Sequence, residues 1–152
     1  MAMEIERNGQ KFYERGAEIV SDPAVKKLMT DLVEWEKGHE QLFQGLRGEL
    51  TDDERASTAF DPDGEMELYV KAMAGEHVFT KKADPATLIS EGDSAADVLH
   101  KALDMERDSI LFYVAIKNAV PKRLGADKVE ALIREEMSHI AYLQKQIEAL
   151  GK

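Results

Sequence analysis

The 152-residue chain has no cysteine, which excludes disulfides, thiolate zinc sites, iron–sulfur clusters and a rubredoxin-type iron centre. Proline is scarce, at four residues, and no Gly/Ser-rich run reads as a disordered linker. Positive charge is also short: 20 Lys and Arg stand against 30 Asp and Glu, a net charge of -10. With no basic patch to neutralise phosphates, no nucleic-acid partner is expected, and an anionic membrane surface is disfavoured. No apolar run approaches the roughly 20 residues that span a bilayer. The opening MAMEIERNGQKFYERGAEIV carries charge throughout and lacks the apolar core of a signal peptide. The expected location is the cytoplasm.

What is present is helical periodicity, consistent with one all-α domain over residues 1–152. The pattern predicts a first helix over 2–20. Asp22 and Pro23 then offer an N-cap and a first helical residue for a second helix reaching about Arg47. Residues 48–93 are turn-like (TDDER, DPDG, KKADP, EGDS), with MELYVKAMAGEHVF as a short helix inside them. Ser94 or Asp93 caps a third helix ending near Val120, Pro121 to Gly125 break it, and a fourth runs to about Leu150.

The two helix pairs repeat. A shift of 100 positions places Glu6 on Glu106, Phe12-Tyr13 on Phe112-Tyr113, Glu36 on Glu136 and His39 on His139, without a gap. Ala2, Arg7, Val20, Leu32 and Gln44 recur in the same register. Each repeat is a helical hairpin with Glu-x6-Tyr on its first arm and Glu-x2-His on its second.

At about 100° per residue, Glu36 and His39 share one face with Val25, Met29, Leu32 and Phe43. Glu136 and His139 lie likewise among Val129, Leu132, Ile140, Leu143 and Ile147. Glu6 and Glu106 fall on the apolar stripes of their own helices. Each glutamate stands about fifteen residues from its hairpin turn, roughly 23 Å along the axis, so all four meet at one height. Four carboxylates and two imidazoles therefore converge inside the core.

Four buried carboxylates without compensation would be severely destabilising. Two divalent ions supply that compensation, and this is the ligand pattern of di-iron carboxylate bundles: one Glu from each of two helices, Glu-x-x-His from each of the other two. The competing reading is a duplicated bundle that has lost its metal and keeps the residues as a polar network.

ALDMERDSILFY and IREEMSHIAYL, with the repeat, resemble the rubrerythrin group of ferritin-like proteins over nearly the whole chain. The resemblance implies a ferritin-like four-helix bundle, two hairpins joined by one long crossover. It implies that Glu36 and Glu136 bridge two iron ions, that Glu6 and Glu106 are terminal ligands, and that His39 and His139 bind one ion each. Ligand chemistry leaves manganese open and zinc possible. Rubrerythrins carry a further glutamate where this chain has Ser109, and usually a rubredoxin domain that a cysteine-free chain cannot contain. Both features serve peroxide reduction.

Tyr13 and Tyr113, two turns from the ligands on the same faces, are either donors orienting a carboxylate across the bundle or core tyrosines with satisfied hydroxyls. His100 reads as surface and Trp35 as packing or interface; Met3, Met29, Met73, Met105 and Met137 read as core or boundary residues. The function expected is a di-iron oxidoreductase in which ferrous iron meets hydrogen peroxide or dioxygen, with an external electron donor such as a rubredoxin. The alternatives are an iron-handling protein without efficient turnover, or an interaction module folded by metal. A homodimer is the expected assembly.

Overall fold

The chain reverses direction twice on short local signals. At the first, the Asp22 carboxylate accepts from the backbone N–H of Ala24 and Val25, each at 2.9 Å, and Pro23 opens the next helix. These contacts satisfy two of the donors that a helix start leaves free. At the second, Lys122–Leu124 form one 3-10 turn, which ends on Gly125 at φ 105°. A side chain at Gly125 would be strained there and would lie 2.3 Å from Leu46 Cδ2.

The computed structural model describes residues 2–52, 63–65, 68, 69, 72 and 84–151. Four long helices result: α1 Ala2–Ile19, α2 Pro23–Glu49, α3 Ala95–Ala119 and α4 Ala126–Leu150. No strand occurs among the described residues. Ser94 and Asp97 close a reciprocal capping box at the start of α3. Of the short helix expected in the crossover, Leu68, Tyr69 and Ala72 are helical, as is Glu65 just before it; the remainder, Met73 and His77 included, lies outside the described residues. Beyond it Asp84 caps a 3-10 turn, Pro85–Leu88, which packs on α1.

α1 packs along α2 and α3 along α4, and the two pairs meet through α2 with α4 and α1 with α3. One buried cluster draws on all four helices, including Ile5, Phe12, Met29, Leu32, Leu99, Phe112, Leu132 and Leu143. Close approach is possible at Gly16 because it has no Cβ: one placed there would sit 3.1 Å from Met29 Sδ and 3.3 Å from Val98 Cγ1. Among the described residues, no helix is long and apolar enough to cross a membrane.

Met29 and Met105 are buried, but Met137 is 58% exposed and does not belong to the core. Lys117, which interrupts the apolar stripe of α3, bonds Glu130 of α4. That contact holds the Glu130 carboxyl below its usual range.

Candidate metal centre

The four helices bring Glu6, Glu36, His39, Glu106, Glu136 and His139 together at the middle of the core. All six are at most 5% exposed. Their ligand-type atoms form two overlapping four-residue groups, Glu6, Glu36, His39 and Glu136, and Glu36, Glu106, Glu136 and His139, and a three-residue group, His39, Glu136 and His139, each with its atoms within 4.8 Å of one another. Glu36 and Glu136 belong to both four-residue groups. Buried His and Glu groups in this arrangement could hold a metal ion.

Both imidazoles turn Nδ1 inward. His39 Nδ1 lies 3.2 Å from Glu36 Oε2, 3.2 Å from Glu136 Oε1 and 3.7 Å from Glu6 Oε2. His139 Nδ1 lies 2.9 Å from Glu136 Oε2 and 3.6 Å from Glu106 Oε2. Despite that proximity, Glu106 Oε2, Glu136 Oε2 and His139 Nδ1 are buried and make no hydrogen bond. Orphaned buried atoms are expensive, and three in contact imply a partner they converge upon.

The tyrosines cross between hairpins. Tyr13 of α1 donates to Glu106 Oε1 of α3 at 2.7 Å, and Tyr113 of α3 donates to Glu6 Oε1 of α1. Both are buried, and burial with the surrounding carboxylates holds the phenols well above their usual range. They stay protonated and remain donors. Each fixes one oxygen of its glutamate and leaves Oε2 for the centre.

The charges are strongly interdependent. Burial, then Glu136 and Glu6, push the Glu36 carboxyl well up. Burial and Glu136 raise Glu106 to about 8. For Glu136, burial favours the neutral form, yet His139 and His39 hold it ionised, well below the usual carboxylate range. Burial opposes charge on the imidazoles, but Glu136, Glu36 and Glu6 push His39 far up. Glu106 and Glu136 raise His139 to about 9.

Two contributors escape a pattern-based reading. Glu135 reaches His39 Nε2 at 3.3 Å from the surface side. Trp35, expected as packing or interface, stacks on the His139 ring with centroids 4.6 Å apart and planes 11° from parallel, and Tyr142 stacks on Trp35 in turn at 5.6 Å. Residues 35 and 135 occupy the same register of the repeat. His100 is exposed and takes no part. Ser109, one turn beyond Glu106, is buried.

No protein-family model, curated protein or solved structure matches the chain. The centre is therefore read from its own chemistry: a buried cluster of glutamates and histidines able to hold metal.

Proposed function

We propose that the chain is a di-iron oxidoreductase of the ferritin-like, rubrerythrin type, with two metal positions sharing Glu36 and Glu136. Glu6 and His39 would complete one position, Glu106 and His139 the other. The observation that carries this reading is the pair of buried four-residue groups that overlap at Glu36 and Glu136, in one of which Glu106 Oε2, Glu136 Oε2 and His139 Nδ1 make no hydrogen bond. A metal-free polar network would leave those atoms unsatisfied at a cost of about 1–3 kcal/mol each. The donor set, carboxylate oxygen with imidazole nitrogen, suits iron or manganese and accepts zinc.

Ferrous iron held there supplies two electrons, enough with two protons to reduce hydrogen peroxide to water or dioxygen to hydrogen peroxide, and an outside donor would restore them. The protein's residues set the conditions. Tyr13 and Tyr113 hold Glu106 and Glu6 in one rotamer each. The shared glutamates hold the two positions close together. The apolar side chains of four helices exclude bulk water from the carboxylates.

A second reading, metal handling without turnover, is favoured by Ser109, since the centre gains no fifth carboxylate from that position. Anaerobic titration with ferrous iron, followed by rapid mixing with hydrogen peroxide, separates the two. Saturation near two irons per chain with oxidation faster than that of free iron supports the oxidoreductase. Two irons oxidised no faster than free iron leave metal handling, and absence of binding overturns both.

A further inference from the structure

The ligands obey the repeat, but the residues that touch the backs of the two imidazoles do not. Residues 35 and 135 stand in the same register, each immediately before a shared glutamate, and each reaches across to the histidine of the other hairpin. Position 135 is a glutamate, and its Oε2 lies 3.3 Å from His39 Nε2. Position 35 is a tryptophan, whose indole lies flat against His139. One imidazole is backed by a charged acceptor, the other by an aromatic face.

Resting on the two-metal reading above, we propose that the two positions are inequivalent: the Glu6/Glu36/His39/Glu136 position is the tighter and fills first, because Glu135 positions His39, while Trp35 leaves the His139 position weaker and second. The reason is the chemistry of imidazole. With a metal on Nδ1, the ring proton would sit on Nε2, which faces Glu135 Oε2 at 3.3 Å and would donate to it. A carboxylate acceptor fixes that tautomer and raises the basicity of the coordinating nitrogen, and removing such a partner typically costs 10–100-fold in metal affinity. Trp35 has no acceptor to offer. Its stack, covered by Tyr142, holds the His139 ring in plane and keeps water from one face. It orients the ring without adding electron density to it.

The tyrosine donors and the terminal-glutamate distances are matched between the two positions, whereas His39 Nδ1 meets both shared glutamates and His139 Nδ1 only Glu136, so the test turns on substitutions at 35 and 135 themselves. The tyrosine donors are paired across the hairpins, and each imidazole approaches its terminal glutamate at a similar distance, 3.7 Å for His39 and 3.6 Å for His139. Glu135 is 64% exposed, so replacing it leaves the packing of the core intact.

The test is calorimetric titration of the metal-free chain with zinc, which binds without redox chemistry, read beside the nitrogen-15 resonances of the histidine rings. Two steps are expected, the His39 ring shifting in the first and the His139 ring in the second. Glu135→Ala is expected to weaken the first step by about 10–100-fold and leave the second in place. Glu135→Gln, which keeps an acceptor but not the charge, should fall between. Trp35→Glu should tighten the second step toward the first, whereas Trp35→Phe, which keeps a stacked ring, should not. Two indistinguishable steps, filling in the reverse order, or a Glu135→Ala effect spread equally over both steps would overturn the proposal while leaving a two-metal site standing. Failure to bind zinc or ferrous iron at all would overturn the metal reading and this inference with it.

Discussion

The α1–α2 and α3–α4 hairpins present the same ligands from the same register, yet they are not copies of one another. The first turns at Asp22 and Pro23, where a side-chain cap does the work; the second turns through a 3-10 segment ending on a left-handed glycine. The exposed large side chains Leu111, Val114, Met137 and Tyr142 all belong to the second hairpin. The first backs the other hairpin's histidine with Trp35, the second with Glu135. The proposed metal centre accounts for this division. On the proposed two-metal reading the inward residues must match, whereas turns and outer faces answer to other demands.

The comparison breaks most completely at the shared ligands. Glu136→Gln removes a carboxylate common to both positions and is expected to abolish stoichiometric binding of a pair of ions. Glu106→Gln touches one position and should leave one ion bound. Metal analysis after equilibrium dialysis checks both, and equal losses from the two variants would contradict a shared role for Glu136.

The tyrosines sharpen it next. Tyr13→Phe frees Glu106 Oε1 and is expected to weaken the position beside His139, and Tyr113→Phe frees Glu6 Oε1 and should weaken the position beside His39. Each loss should be on the order of 10-fold or more in metal affinity. Because the donors cross between hairpins, the affected histidine lies in both cases in the hairpin that did not carry the mutation. Purely structural tyrosines would lower thermal stability with no preference between positions.

The turns differ in what a substitution costs. Gly125→Ala forces a side chain into left-handed backbone and onto Leu46, and should destabilise by about 1–3 kcal/mol. Asp22→Ala loses one cap and should cost about 1 kcal/mol. At roughly 2–4 °C per kcal/mol for a chain of this size, calorimetry resolves the two. If Asp22→Ala proved the more damaging, the strain argument at Gly125 would be wrong.

The smallest effect is a pH slope. Hydrogen bonds from the Ser94 side chain and backbone hold Asp97 below its ordinary range. A depressed carboxyl stabilises above its unfolded pKa of about 3.9, and that stability is lost as pH falls through the folded value. Asp97→Asn should therefore flatten the acid limb of the stability profile below about pH 4 and leave neutral pH little changed.

How much of this was legible depends on whether the cause is local. Helix ends were readable to within about two residues, because Asp22, Pro23, Ser94, Pro121 and Gly125 act on their immediate neighbours. The meeting of Glu6, Glu36, Glu106 and Glu136 was readable because the 100-residue repeat and the height arithmetic need only helix geometry. Trp35 and Glu135 were not, since both lie on helix flanks. What such residues touch depends on how one hairpin is rotated against the other, which no periodicity encodes. Met137 was misplaced for the same reason: its residue type suggests a core or boundary position, but its helix presents it outward at 58% exposure. The Lys117–Glu130 bond likewise joins two helices whose mutual rotation decides it.

The most direct measurement of the central claim is anomalous diffraction from crystals of the chain grown with ferrous or manganous ion under anaerobic conditions. Two peaks are expected inside the core, one against Glu6, Glu36, His39 and Glu136, the other against Glu36, Glu106, Glu136 and His139. Peaks confined to the acidic surface, with the six buried residues bonded only to one another, would contradict it.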